Sequence, residues 1–196
     1  MHDQNYLLES PLAQHLEGSY FPIDILRCSE QCTSPLLYLD NYSRELIWST
    51  HDNTRVVRWV LRECGVTLAG PVPAALLDPL PVSELHAEVL ETMREWAGEI
   101  LAGKYPIDNR WAQPFAVLSY CRMLHILACG RVESKLAGVR WAIGALDPGW
   151  VDLIQGAWKE RPDPTWKCRQ PADALDIQRT QAFIRYALEV AATDRR

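Results

Sequence analysis

Two basic residues, thirteen positions apart, stand where their charges are difficult to accommodate. Arg122 lies in the middle of the apolar run Phe115–Cys129, which predicts a helix buried on most sides. An unpaired guanidinium in such a helix is costly, so Arg122 needs an anionic partner. Lys135 follows Ser134, a good cap for a second helix, and a cation at a helix N-terminus is disfavoured by about 0.3–1 kcal/mol.

A bound phosphate would relieve both problems. Helix N-termini hold phosphate through their free N–H groups, and an anion placed there would remove the penalty on Lys135. We therefore expect a phosphate-bearing ligand to contact both side chains. The alternative is structural: Arg122 pairs with an internal Asp or Glu, and Lys135 points into water.

The elements that must position these residues are mostly helical. Asp52 or Asn53 caps a helix that ends at Gly65, and Ser83 caps one that reaches about Ala102. Further helices are predicted for residues 115–129, which Gly130 stops, and then from Lys135, over 149–159 and over 172–192. Short alternating segments within residues 16–48 predict a few strands.

The predicted fold class is therefore mainly α, a multi-helix bundle of about six helices with a small N-terminal β remnant. We assign residues 1–50 to that remnant and residues 51–196 to a helical domain.

Composition excludes several classes of protein. The chain has 196 residues, of which 48% are hydrophobic and 23% charged, as in folded globular proteins. A net charge of −5 gives no basic footprint for nucleic acid. We expect no signal peptide and no membrane-spanning helix, because the start lacks a basic and apolar leader and no apolar run reaches the required length.

The six cysteines are scattered, which is typical of reduced thiols in the cytoplasm. Cys28 and Cys32, with His51 downstream, lack the usual spacing of zinc ligands, so we predict no metal site.

The stretch 108–146 resembles the C-terminal helical domain of the aminoglycoside 3''-adenylyltransferases, which transfer AMP to streptomycin and spectinomycin. The resemblance depends on an ordered set of segments. It extends to Ala137, Trp141 and Ala142, and residues 180–187 also resemble the closing helix of the family. The segments are Asp108-Asn109-Arg110-Trp111, Cys121-Arg122, Ala128–Val132 and Ser134-Lys135. It covers most of the chain from about residue 45 onward.

The resemblance implies roles for three residues. Arg122 and Lys135 match positions that contact the nucleotide in that family, and Glu17 matches the glutamate that serves as general base. The alternative for Glu17 is a surface glutamate at the end of a strand.

The resemblance also implies a substrate site in the loop before the central helix. Asp108, Asn109, Trp111 and Gln113 supply a carboxylate, two amides and an aromatic wall, which suit a hydroxyl-rich polycation such as an aminoglycoside. Alternatively, Asp108 or Asn109 caps the helix and Trp111 is a core aromatic. Arg110 departs from the family pattern, and a cation beside the pocket should weaken binding.

One part of the family's machinery is absent from these residues. The family binds ATP with Mg²⁺ through a G-S pair followed by D-x-D, and here Gly18-Ser19 has no D-x-D after it. We therefore expect the chain to begin near the last strands of a catalytic domain and to hold no metal by itself. Three explanations of the missing N-terminal half stay open: a gene remnant, a misplaced start codon, or a separately encoded partner. The sequence also leaves open whether the chain is itself an enzyme.

Two functions follow from these observations. The first is the nucleotide- and aminoglycoside-binding half of an adenylyltransferase, inactive alone. The alternative is a stand-alone helical ligand-binding or interaction module with a vestigial site.

Overall fold

The computed structural model describes residues 15–27, 34–161 and 167–193. The chain divides into two compact units, Met1–Pro81 and Val82–Arg196. This division is based on compactness. The boundary predicted after residue 50 concerns the origin of the two domains, which compactness does not test. That boundary therefore stays a prediction. Cys28 and Cys32 lie outside the described residues.

The first unit contains a three-stranded antiparallel sheet. Its strands are β1 (Gly18–Tyr20), β2 (Leu36–Leu39) and β3 (Leu46–Ser49), in the order β1-β2-β3. Ser19 is paired with Tyr38, which is paired with Ile47, so these three side chains point to the same face. The predicted N-terminal β remnant is confirmed.

Two helices of the first unit are described, α1 (Ile23–Arg27) and α2 (Arg55–Cys64). The cap of α2 is Thr54, whose hydroxyl accepts a hydrogen bond from the Val57 N–H at 3.1 Å. The prediction that Asp52 or Asn53 caps this helix is wrong, because the chain first turns between Thr50 and Asn53. A short 3₁₀ turn, Pro73–Ala75, follows α2.

The described ranges of the second unit include a bundle of five helices with named bounds. They are α3 (Val82–Leu101), α4 (Ala112–Cys129), α5 (Lys135–Ala145), α6 (Val151–Glu160) and α7 (Ala174–Thr193), with a 3₁₀ turn at Pro148–Trp150 before α6. The central helix is α4, which packs against each of the other four. Its apolar sequence is explained by this position, because nearly every face of α4 is buried.

The ends of α4 follow from local chemistry. Gly130 ends the helix in the left-handed region with φ 69°, as predicted. The helix begins at Ala112, three residues before the predicted start at Phe115. Pro114 therefore lies in the first turn, where its missing N–H costs nothing. The predicted start was too late because it followed the apolar run, which begins at Phe115.

The fold class is confirmed as mainly helical. The described residues contain seven α-helices and the small antiparallel sheet. No helix among them is both long and apolar enough to cross a membrane.

A close contact between α5 and α4 in the second unit involves Gly138 of α5. A Cβ placed on Gly138 would lie 2.8 Å from the Arg122 Cα and 2.9 Å from the Arg122 backbone nitrogen. Both are backbone atoms that cannot rotate away. Only a residue without a side chain therefore allows α5 to lie this close to α4.

This contact predicts opposite effects for two glycines of α5. Gly138→Ala should lower the free energy of unfolding by about 1–3 kcal/mol, because the methyl group overpacks the helix contact. Gly144→Ala, where nothing lies within 4 Å of the added Cβ, should raise it by about 0.5–1 kcal/mol through helix propensity. Urea denaturation of both variants measures this, and equal effects would contradict the packing argument.

Candidate functional site

The contact at Gly138 brings Lys135 and Arg122 into one region. Lys135 lies one helical turn before Gly138, and Arg122 is the residue against which Gly138 packs. Ser134 caps α5 as predicted, since its hydroxyl accepts a hydrogen bond from the Ala137 N–H at 3.2 Å. The thirteen-residue spacing is thus a consequence of how two helices cross.

Lys135 occupies an unfavourable position for a cation. Its Nζ lies 3.8 Å from the centre of the Phe115 ring, a cation–π contact that favours the charged amine, but the residue is half-buried and other charges oppose it. Burial, together with the positive charges of Arg122 and Arg161, lowers the pKa of Lys135 from 10.5 to about 8. The first turn of α5 carries no acidic residue to offset them.

Arg122 has no counterion within the part of the chain that the structure describes. Its Nε is buried without a hydrogen-bond partner, and burial lowers the pKa of its guanidinium. None of the ion pairs found between described residues includes Arg122. The internal ion pair, which was the structural alternative for Arg122, is therefore not formed there.

Arg161 is a third member of this group, and sequence reasoning did not single it out. It follows the last residue of α6, and its guanidinium lies 5.1 Å from the centre of the Trp158 ring. No motif marks it, because its charge reaches Lys135 only through the packing of the helices. Arg122, Lys135 and Arg161 together form what we call the cation cluster, a group suited to an anion with several negative charges.

The loop before α4 divides the predicted substrate residues among different tasks. Asn109 Oδ1 accepts hydrogen bonds from the N–H groups of Ala112 at 2.8 Å and Trp111 at 3.1 Å, so it holds the start of the helix. Trp111 stacks on Phe115, with ring centres 4.9 Å apart. Asp108 is exposed, and its backbone oxygen accepts a hydrogen bond from the Ala172 N–H at 2.8 Å.

Gln113 lies in the first turn of α4, and it lines a pocket of about 440 Å³. Its amide nitrogen donates a hydrogen bond of 2.7 Å to the buried hydroxyl of Thr180. The pocket is lined by Arg110, Gln113, Glu160, Pro171, Ala172, Asp173 and Asp176. Sequence analysis grouped Trp111 and Gln113 in one substrate site. In the structure Trp111 stacks on Phe115, whereas Gln113 bonds Thr180 and lines the pocket.

Arg110, expected to repel a cationic ligand, has its charge compensated. Its guanidinium donates to both oxygens of Glu160, with the shortest distance at 2.7 Å, and Lys167 Nζ lies 3.2 Å from the same carboxylate. Burial raises the pKa of Glu160, but the hydrogen bonds from Arg110 and Lys167 outweigh it, so that the net shift is downward. Asp173 and Asp176 remain as the other charges of the pocket.

Glu17 lies in the first unit, immediately before β1, beside partners that sequence reasoning missed. The Tyr38 hydroxyl donates to Glu17 Oε1 at 2.9 Å and to Asp40 Oδ1 at 3.2 Å. His51 Nε2 is 4.0 Å from Glu17 Oε1 and 3.9 Å from Asp52 Oδ1. The alternation Glu17-x-Ser19 and Tyr38-x-Asp40 was the available signal, because it places these side chains on one face of the sheet.

The described residues include no group of three or more His, Cys, Asp or Glu placed to hold a metal ion. The polar face around Glu17 therefore offers a hydrogen-bonded carboxylate rather than a set of metal ligands.

A family model for the aminoglycoside adenylyltransferase C-terminal domain matches residues 75–189, more than half of the chain. The chain belongs to this family. The match contains the whole cation cluster and the loop before α4, whereas Glu17 lies outside it. A search of curated proteins finds no match. The predicted resemblance to the C-terminal domain of the aminoglycoside adenylyltransferases is therefore confirmed for the family.

The lowered pKa of Lys135 gives a test by stability. Below about pH 8 the lysine is charged in both folded and unfolded chains, so its destabilising effect is complete. Between about pH 8 and 10.5 the folded chain loses the proton first, and stability rises. Across this interval we expect the unchanged chain to gain free energy of unfolding relative to the Lys135→Met variant, which has no amine to titrate at this position.

Urea denaturation at several pH values measures that difference, with Lys104→Met as the control because Lys104 is exposed. A difference that stays constant from neutral pH to about pH 10.5 would contradict the environment described for Lys135.

Proposed function

We propose that this chain is the nucleotide- and aminoglycoside-binding part of an adenylyltransferase, which transfers AMP from ATP to a hydroxyl group of an aminoglycoside. The observation that carries the proposal is the cation cluster, in which Arg122 and Lys135 have no carboxylate partner among the described residues. The membership of the chain in the adenylyltransferase C-terminal domain family supports the same assignment.

The polyphosphate of ATP suits the cation cluster in charge and in geometry. A guanidinium supplies several N–H donors, and Arg122 retains at least the Nε donor unused. The N–H groups at the start of α5 add further donors beside Lys135. A bound triphosphate would also cancel the mutual repulsion that lowers the pKa of Lys135, so binding and protonation should favour each other.

The aminoglycoside would bind through the loop before α4. In this proposal Asp108 contacts an ammonium group and Trp111 provides an aromatic wall, while the polar groups of Asn109 and Gln113 contact hydroxyls. The contacts already made leave one end of each amide available, because Asn109 uses its oxygen and Gln113 its nitrogen. Asp173 and Asp176 add negative charge at the pocket that Gln113 lines.

Glu17 is the proposed general base, accepting the proton of the attacking hydroxyl group. The hydrogen bond from Tyr38 would orient its carboxylate and leave the second oxygen for the substrate. The described residues form no metal site, and the sequence contains no G-S…D-x-D motif. In this proposal the metal chemistry is therefore supplied by residues outside the 196 of this sequence.

We place this activity in the cytoplasm. Three cysteines within the described ranges, Cys64, Cys121 and Cys129, are free thiols, which supports a reducing compartment. A helical interaction module with a vestigial site is the alternative function, and the binding measurements below separate the two.

ATP binding tests the nucleotide half of the proposal. The purified chain should bind ATP, and Arg122→Gln or Lys135→Gln should each weaken binding about tenfold or more, because a charge-assisted hydrogen bond is lost. Arg140→Gln removes an exposed arginine from α5 and should leave affinity unchanged. Isothermal titration calorimetry measures this, with circular dichroism as the folding control. Equal losses in all three variants would refute the site.

Streptomycin binding tests the substrate half. We expect weak, salt-sensitive binding that Asp108→Ala reduces about twofold to fivefold, since an exposed charge pair contributes little. Glu189→Ala changes net charge equally at an exposed position of α7 and should have no effect. Calorimetry at low salt compares the two. If Asp108→Ala binds as well as the unchanged chain, Asp108 is no part of the site.

Activity tests the requirement for the G-S…D-x-D motif that these residues lack. The purified 196-residue chain, with ATP, Mg²⁺ and streptomycin, should transfer AMP only at background rate. A general base alone contributes about 10²–10⁴-fold and does not replace metal-ion catalysis. Mass spectrometry of the antibiotic measures the product. Magnesium-dependent formation of adenylylated streptomycin by this chain would show that the requirement is wrong.

A further inference from the structure

Lys135 combines two features that are rarely found in one lysine. Its amine is half-buried, so water solvates the charged form poorly, and the cation–π contact with the Phe115 ring at 3.8 Å replaces only part of that solvation. Arg122 from α4 and Arg161 at the end of α6 place two further positive charges around it, and α5 itself adds no acidic residue in its first turn. Desolvation and neighbouring cations are the two means by which proteins make a lysine nucleophilic at neutral pH.

We propose that Lys135 is a modification site, acylated by acyl phosphates, which are small compounds whose carbonyl carbon is bonded to a phosphate group. The proposal rests on the proposed function, because the cation cluster that would hold the phosphates of ATP would also hold the phosphate of the acylating compound. It adds a covalent reaction to that site and a way of regulating it.

The reaction balances without any further reactant. The neutral Nζ attacks the carbonyl carbon, and the new N–C bond replaces the bond between that carbon and the phosphate oxygen. The phosphate leaves with the bonding electron pair, and the proton lost by the nitrogen goes to the phosphate. The products are an acyl-lysine and inorganic phosphate. Arg122 and Arg161 are placed to stabilise the charge that develops on the leaving phosphate.

Two properties of the site favour this reaction over acylation elsewhere. At neutral pH a lysine with a pKa of about 8 has a much larger neutral fraction than one with the ordinary value of 10.5. The phosphate group of the reagent adds a second advantage, because the cation cluster attracts it and holds the carbonyl near the amine. Acylation then removes the charge of Lys135 and should weaken later binding of polyphosphate.

The chain supplies its own controls, because it contains four lysines. Lys104 and Lys159 are exposed, and Lys167 is held in an ion pair with Glu160 at 3.2 Å. Among the described residues, none of these three makes a cation–π contact. The rates of all four can be compared within one sample.

The experiment treats the purified chain with acetyl phosphate at about pH 7.5 and follows each lysine by peptide mass spectrometry. Lys135 should be acetylated about tenfold faster than Lys104 and Lys159, given the larger neutral fraction and the lower intrinsic nucleophilicity of a weaker base. Inorganic pyrophosphate should slow Lys135 alone. Arg161→Gln, at an exposed position, should slow Lys135 severalfold, whereas Arg140→Gln should not.

The binding of inorganic pyrophosphate, measured in parallel, separates this proposal from the proposed function. If pyrophosphate binds but Lys135 reacts no faster than Lys104, the acylation site is refuted while the phosphate site stands. If pyrophosphate does not bind, the phosphate site fails. Fast acetylation of Lys135 that neither pyrophosphate nor Arg161→Gln slows would show a reactive amine without phosphate docking, which also overturns the proposal.

Discussion

The close approach of α5 to α4 at Gly138 is the constraint on which the candidate site depends. Because no side chain separates the helices there, the start of α5 is held against α4, and Lys135 comes within reach of Phe115 and the charge of Arg122. The same contact removes solvent from Arg122, whose Nε is left buried without a partner. One packing contact therefore brings Arg122 and Lys135 together, and their charges then repel each other.

This arrangement costs folding free energy that the surrounding core must offset. The helix α4 supplies much of that core, since most of its side chains are buried against α3, α5, α6 and α7. Aromatic rings add to it on the side of α3, where Trp96 stacks on Tyr120 with ring centres 5.6 Å apart and the Tyr120 hydroxyl donates to the Met93 carbonyl. A stable scaffold around unsatisfied charges is typical of binding sites, where the ligand supplies the missing partner.

Sequence reasoning succeeded where the cause was local. The Ser134 cap, the Gly130 stop and the apolar run of α4 each depend on a few neighbouring residues, and the misplaced charges of Arg122 and Lys135 follow directly from them. It failed where tertiary structure decided. No residue near Arg161 in the sequence indicates that its charge would act on Lys135. The cap of α2 is Thr54 rather than Asp52 or Asn53, because the chain first turns between Thr50 and Asn53.

The loop before α4 shows why residue types alone could not assign the substrate site. Asn109 matches both a helix cap and a ligand contact, and the structure shows that it caps α4 through its oxygen, which leaves its NH₂ group for a ligand. Arg110 looked like an obstacle to a cation, yet Glu160, fifty residues away in sequence, compensates its charge through two N–H donors. Because Arg110 lies in the loop and Glu160 at the end of α6, only the fold reveals that the charge next to Gln113 is balanced. The electrostatic character of a site is a property of packed pairs, and it can reverse the conclusion drawn from a single residue.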